Sequence, residues 1–199
     1  MRYLKRLGLK TVTAASETAL TTKERARAAP SGAGLSADND ELDRQIAVFS
    51  RAVCDFIKIR PTLDGRCTLA VERVTEKLEF RRGSETFYLS RAPVLFSSGD
   101  PMFHLVMLDD DVLLASELEV IGPDGQCRFI DDDGDPRTAI GEAIIEYTAG
   151  YNLPSTVTPN ANATDLPPAI EEAMFILLKA GASSARRDPS IRSEASEEV

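Results

Sequence analysis

The chain has 199 residues, of which 43% are hydrophobic and only 6% aromatic, with no Trp. Its formal net charge of -9 argues against a protein that wraps nucleic acid by neutralising phosphates. The three cysteines Cys54, Cys67 and Cys127 are scattered, and the apolar runs are far shorter than the ~20 residues of a membrane span. We therefore expect no disulfide framework, no membrane partner, no metal and no cofactor.

Residues 1–34 are predicted to form a basic arm. Residues 1–30 contain seven Lys or Arg and two Glu, or +5, whereas the rest of the chain carries -14. The segment Thr22–Ala29 (TKERARAA) predicts a short helix capped by Thr22. Such charge asymmetry is typical of separate surfaces for separate partners, although a solvated helix explains it equally well.

The segment 38–60 gives the clearest helical signal. Asp38 is a candidate N-cap, with Glu41 at the capping-box spacing, and Pro61 stops the helix. An apolar stripe recurs in steps of four and three residues, and it must face either a core or a neighbouring subunit. The stripe comprises Leu42, Ile46, Phe49, Val53 and Phe56.

The segment 67–151 predicts an antiparallel β module. Short β-like pieces are separated by turn residues, with a hairpin turn at 122–125 and a polar hairpin tip at Asp109–Asp111. The predicted pieces are 67–71, 77–80, 85–89, 103–108, 116–121, 126–130 and 143–147.

A second helix is predicted over 165–186, followed by an extended tail at 187–199. Small residues around Gly181 would let another helix approach closely. The apolar face of this helix comprises Ile170, Met174, Leu177 and Leu178. The expected fold class is therefore α+β: a helical frame of two main helices plus a short N-terminal helix, with an inserted antiparallel β module. Residues 35–186 form the main domain of this prediction.

No residue pattern indicates catalysis. His104 is the sole histidine and is expected to be structural, because no nucleophile motif accompanies it. Asp131, Asp133, Asp135 and Glu142 match calcium-loop spacing, but Pro136 replaces the required glycine, so a solvated acidic turn is the expectation. The sequence predicts that the protein is not an enzyme.

Three stretches, taken in order, resemble the head–tail connector (adaptor) family of tailed bacteriophages and gene transfer agents. The first is the helix 38–60. The second is Leu89-Ser-Arg-Ala-Pro-Val94 followed by Ile144-Ile-Glu-Tyr-Thr-Ala-Gly-Tyr151-Asn-Leu-Pro154. The third is the Pro-initiated helix that runs into Arg186-Arg-Asp-Pro189 and Ile191-Arg-Ser-Glu194. The resemblance covers roughly residues 20–199.

The resemblance implies a structural role in the neck of a virion or virus-like particle assembled in a bacterial cytoplasm. Members form a ring, usually of twelve copies, under the portal protein. The ring extends the DNA channel, through which DNA passes without sequence-specific binding, and docks a stopper or tail-completion protein. A net acidic body is compatible with such a channel, since a basic lumen would hold phosphates.

The resemblance also suggests roles for particular residues. The tail is expected to bind the portal, with Ile191 as apolar anchor and Arg187 and Arg192 pairing with portal carboxylates. Its expected contact residues are Arg186, Arg187, Asp188, Pro189, Ile191, Arg192 and Glu194. The structural signature comprises Pro93, Tyr147, Gly150 and Tyr151. Among these, Gly150 is expected to supply a positive φ or a close backbone approach, and the tyrosines are expected to support the fold.

Two alternatives stay open at this point. One is another neck protein, either a stopper, which would be more purely β, or a tail terminator. The other is an unrelated β domain that binds a small ligand or calcium. The apolar stripes of both predicted helices are assigned to subunit packing under the adaptor hypothesis.

Overall fold

The fold is known from a computed structural model. It describes residues 4–15, 18–30, 35, 38–154 and 164–185. They divide into two compact units. The sheet unit lies within Met1–Glu17 and Ile57–Asn152, and the helical unit lies within Thr18–Phe56 and Leu153–Val199.

The predicted fold class is wrong. Strands in three sheets make up 38% of the described residues, and helices make up 27%, so this part of the chain is mostly β. It is not a helical frame with an inserted β module. The residues predicted to form a basic arm contribute a strand to the sheet unit and a short helix to the helical unit.

The described part of the sheet unit contains eleven strands. They are β1 (Leu4–Thr13), β2 (Glu72–Ser84), β3 (Phe87–Tyr88), β4 (Phe96–Ser97), β5 (Asp100–Pro101), β6 (Phe103–Leu108), β7 (Asp111–Leu113), β8 (Leu118–Val120), β9 (Gln126–Ile130), β10 (Pro136–Arg137) and β11 (Ala139–Ala149). The main sheet is antiparallel with the order β1-β2-β11-β6-β7. In a smaller sheet β9 pairs with β3, β8 and β10, and β4 pairs with β5 in a two-stranded sheet.

The strand β2 shows why the sequence pattern predicted too little β-structure. Its side chains alternate between buried and half-buried positions from Glu72 to Phe80, as expected for a strand with one face in a core. Two of the five buried positions are glutamates, Glu72 and Glu76. These charged residues interrupt the apolar alternation by which a strand is recognised in sequence.

The two larger sheets share one hydrophobic core. Val74, Leu78 and Ile145 enter it from the main sheet, and Cys127 and Leu118 enter it from the smaller sheet. An aromatic cluster lies within it. Its members are Phe80, Phe87 and Phe129, with ring centroids 5.2 to 6.1 Å apart. Edge-to-face and offset contacts at this spacing add to the stabilisation from burial alone.

The helical unit comprises α1 (Lys23–Ala28), α2 (Asn39–Phe56) and α3 (Pro168–Ala185). Both predicted N-caps are confirmed: Arg25 N donates to Thr22 Oγ1 (3.4 Å), and Glu41 N donates to Asp38 Oδ1 (2.8 Å). The helix α2 ends four residues earlier than predicted.

Within this unit, Glu171 of α3 holds the segment before and within α1. Its carboxylate accepts bonds from Arg25 Nε (2.6 Å) and Nη2 (2.5 Å) and from Thr21 Oγ1 (3.0 Å). The hydrogen bond to Glu171 raises the pKa of Arg25. No helix in the described residues is long and apolar enough to cross a membrane.

The β-piece predictions are confirmed where their patterns were strongest. The segments 103–108 and 126–130 are β6 and β9, and 143–147 lies within β11. Asp109 and Asp110 form the predicted hairpin tip between β6 and β7, with φ of 54° and 70°. Positive φ at both central residues is typical of a two-residue hairpin turn. By contrast, residues 67–71 form no strand, and only Ala70 makes an isolated bridge, to Tyr151.

Candidate functional site

The structure brings the two parts of the signature together, although more than fifty residues separate Val94 from Tyr147. Val94 forms an antiparallel bridge with Ala149. Gly150 N donates to Pro93 O (2.9 Å), and Leu95 N donates to Thr148 O (3.0 Å). The Ala92–Pro93 peptide bond is cis. We call this junction of residues 91–95 with residues 147–151 the signature junction.

Gly150 occupies a position that other residues cannot adopt without strain. Its φ is +125°, and a Cβ atom on it would lie 2.3 Å from the carbonyl oxygen of Ala70. The next residue continues this close approach, because Tyr151 N donates to Leu69 O (2.8 Å) and Val71 N donates to Tyr151 O (3.1 Å). The prediction of a positive φ and a close backbone approach at Gly150 is confirmed.

Tyr147 is fully buried in the sheet-unit core. Its hydroxyl donates to Glu76 Oε2 (3.0 Å) and accepts from Arg91 N (3.1 Å), and its ring lies edge-on to Phe103. Burial, together with the negative charge of Glu76, raises the pKa of Tyr147 well above its usual value. This placement supports the predicted structural role of Tyr147.

The hydroxyl of Tyr147 belongs to a buried polar network centred on Glu76, which has no solvent exposure. Glu76 forms an ion pair with Arg6 of β1 and accepts from Ser90 N (2.8 Å) and Ser90 Oγ (2.5 Å). Arg6 also donates to Ser90 Oγ (2.6 Å) and Tyr88 O (2.7 Å). The network therefore connects β1, β2 and the segment that leads into the signature junction.

A second buried carboxylate, Glu72, lies four residues before Glu76 on the same face of β2. Glu72 accepts from Arg66 Nε (3.0 Å) and Nη2 (2.8 Å), and from Ala15 N (3.2 Å). Sequence reasoning missed both networks, because its predicted β pieces 67–71 and 77–80 left out residues 72–76. The available signal was their spacing, since Glu72 and Glu76 fall on the same face of β2 as Val74 and Leu78.

The hydrogen bonds of the Glu76 network are suited to holding the surrounding backbone rigid. The Ser90 hydroxyl donates to Glu76 and accepts from Arg6, so both of its roles are used. Glu76 accepts hydrogen bonds from Arg6, Ser90 and Tyr147, so both of its buried carboxylate oxygens have partners. His104 is exposed on β6, and its Nε2 lies 2.8 Å from Thr148 Oγ1.

The apolar residues predicted to pack between subunits are largely buried within the chain. Leu42, Ile46 and Leu178 share a core with Ala26 and Phe175 in the helical unit. Val53 and Met174 are also buried, and Phe49, Ile170 and Leu177 are half-buried. Only Phe56 is strongly exposed, at 85%. The alternative of a core within the chain therefore accounts for most of both stripes.

Close helix approach at Gly181 was also predicted from sequence. A Cβ atom on Gly181 would lie 3.0 Å from the Phe49 ring. The small residue therefore accommodates an aromatic side chain of α2.

The acidic segment near Asp131 does not have the arrangement of a calcium loop. Asp131 Oδ1 accepts from Asp133 N (3.1 Å) and Asp135 N (2.9 Å), whereas Glu142 lies on β11 in an ion pair with Lys77 (2.5 Å). In the part of the chain that the structure describes, no group of three or more His, Cys, Asp or Glu side chains is placed to hold a metal ion.

The predicted portal-binding tail, residues 186–199, lies outside the described residues. Comparison with known proteins adds no assignment. Neither a scan against protein-family models nor a search of curated proteins finds a match for this chain.

Proposed function

We propose that this protein is a structural subunit of the neck of a tailed phage or gene transfer agent, where it acts as a head–tail connector. The observation that carries the proposal is the signature junction. Residues 93–94 and 147–151 were singled out by resemblance, and they meet through one backbone hydrogen bond, Gly150 N to Pro93 O, and the bridge between Val94 and Ala149. A chance match of short motifs gives no reason for the matched segments to be in contact.

The buried networks support a role in which shape matters more than chemistry. Glu76 and Tyr147 fix the segment that carries Pro93, and Gly150 lies against the backbone of Ala70. A junction held in this way presents one fixed surface, which suits a subunit that must fit a ring. In this proposal the tail binds the portal, and DNA passes through the ring without base contacts.

The test is assembly in the presence of the portal protein of the same particle. The purified chain, alone and mixed with portal, is imaged by negative-stain electron microscopy and sized by analytical ultracentrifugation. A collar on the portal supports the proposal. A chain that stays monomeric and does not bind the portal protein contradicts the proposal.

A tail deletion sharpens this experiment. Removing residues 187–199 is expected to abolish portal binding while the circular dichroism spectrum and the unfolding midpoint stay unchanged. Within the tail, Ile191→Ala and Arg187→Glu should weaken binding, whereas Ser190→Ala serves as the matched control. Undiminished co-purification of the deletion variant with portal would contradict the role assigned to the tail.

A second candidate is the stopper, and the β-rich fold favours it. More of the described residues lie in strands than in helices, whereas the adaptor hypothesis was based on a helical frame. The two roles differ in the required template. An adaptor binds bare portal, whereas a stopper binds only portal that already carries its adaptor ring. Binding to bare portal therefore supports the adaptor role, and binding that requires a second protein supports the stopper role.

A further inference from the structure

The described part of the sheet unit buries three charged side chains, two glutamates and one arginine. Glu72 and Glu76, 2% and 0% exposed, pair with Arg66 and Arg6, whose side chains are partly exposed. Arg91 is 5% exposed. Among the described residues it forms no ion pair with a carboxylate. The buried guanidinium of Arg91 therefore has no direct carboxylate partner.

The hydrogen bonds of Arg91 show the same deficit. Its Nη2 donates to Arg66 O over a long 3.4 Å, and its Nε and Nη1 have no acceptor in the described part of the protein. Nε carries one N–H bond and Nη1 carries two. Its backbone is fixed meanwhile, because Arg91 N donates to the buried Tyr147 hydroxyl. Buried N–H donors without acceptors are unfavourable, and an oxyanion is the acceptor that best matches the paired donors of a guanidinium.

We propose that Arg91 binds one small oxyanion of the phosphate class inside the sheet unit. A guanidinium presents paired N–H bonds that match two oxygens of such an anion. Chloride is a single atom and cannot accept both bonds in this geometry. The anion supplies the missing acceptors. Arg66, whose carbonyl already accepts from Arg91, has a partly exposed side chain. This proposal does not depend on the neck role.

The main experiment measures anion binding directly on the full chain. Equilibrium dialysis with radiolabelled inorganic phosphate is expected to show one saturable site per chain. Thermal unfolding should show a saturable rise in midpoint with millimolar sodium phosphate or sulfate, but not with sodium chloride at matched ionic strength. Sulfate and phosphate also stabilise proteins generally by exclusion from the surface, so variants are needed to separate the two effects.

The decisive variant is Arg91→Met, which keeps an unbranched apolar stem and removes the guanidinium. It should lose both the dialysis signal and the oxyanion-specific midpoint shift. Arg73→Met is the matched control, because Arg73 lies on the half-exposed face of β2 and pairs with Glu146, and it should bind phosphate like the parent chain. If Arg91→Met does not fold, Arg91→Lys keeps the charge without the paired donors and should weaken binding about tenfold or more.

Three results would overturn the proposal. Parent protein that binds no phosphate in dialysis would mean that no oxyanion occupies the free donors of Arg91. Equal midpoint shifts in chloride and phosphate would mean general screening. Retention of binding by Arg91→Met would place the anion elsewhere.

Discussion

The two units of this protein bury charge in different ways. The helical unit has an apolar core around Leu42, Ile46 and Leu178, and its Arg25–Glu171 ion pair, with a buried carboxylate, holds α3 to α1. The sheet unit places two glutamates inside its main sheet and neutralises them with arginines. The comparison teaches that polar residues inside a sheet can stiffen it, provided that every partner is present.

The largest expected effect comes from breaking the Glu76 network. Glu76→Gln removes the charge that pairs with Arg6 and weakens the acceptor of Tyr147, so the free energy of unfolding should fall by about 3 to 5 kcal/mol. Urea denaturation measures it. Glu79→Gln on the same strand is the control, because Glu79 pairs at the surface with Lys5 and should cost much less. Equal losses of unfolding free energy in the two variants would show that the buried pair stabilises the protein no more than the surface pair does.

Gly150→Ala tests the signature junction. The new Cβ would meet the backbone of Ala70, which cannot rotate away, and φ would stay in a strained region. We expect a loss of about 2 to 4 kcal/mol, measured by thermal and urea unfolding. Gly134→Ala is the matched control, with a φ of +84° but open space around its Cβ. A Gly150→Ala protein that folds normally and fails only to assemble would assign the residue to partner contact.

Alkaline pH should weaken the sheet unit through Cys127. Burial raises the pKa of its thiol to about 12 from an ordinary 9.0. Below pH 9 the thiol is protonated in both states, so stability is complete. As pH rises from 9 towards 12 only the unfolded thiol ionises, so stability should fall by up to about 1.4 kcal/mol per pH unit. Urea unfolding at a series of pH values measures the slope. Cys127→Ala should reduce the slope most between pH 9 and 10, because above pH 10 the raised pKa of Tyr147 adds a second loss. An unchanged slope between pH 9 and 10 would contradict the prediction.

The smallest expected effect lies in the helical unit, at the cap of α2. Asp38→Ala removes the acceptor for Glu41 N and should cost about 1 kcal/mol. Chemical denaturation followed by circular dichroism detects this change. Asp38→Ser keeps a capping oxygen and should restore most of the loss. If Ser and Ala cost the same, the cap contributes little.

The helices were predictable because their signals are local. Thr22 and Asp38 cap helices within three residues of themselves, and an apolar stripe in α2 repeats within the helix. The main sheet was not predictable in the same way. Strand β1 contains Lys5, Arg6 and Lys10, and its inward-facing arginine is explained only by Glu76, seventy residues later. A charged residue becomes a core residue through a partner that no local window contains.

The candidate site was predictable in part for the same reason. The conformation of Gly150 follows from its place at a strand end, and Pro93 and Tyr147 were identified by resemblance. Ser90 and Arg91 lie in the matched motif Leu89–Val94, but their side-chain roles could not be predicted, because those roles depend on partners distant in sequence. The prediction that the helix stripes pack between subunits overlooked how much of each stripe the chain itself covers.

The position of β2 between β1 and β11 has a consequence for folding kinetics. Residues 14–71 separate β1 from β2, and residues 85–138 separate β2 from β11. Each pairing closes a long loop before it gains any contact, so the main sheet should form slowly, whereas a helix forms in about a microsecond. On the ribosome neither unit can be finished early, because β1 must wait for β2 and β11, and α2 must wait for α3.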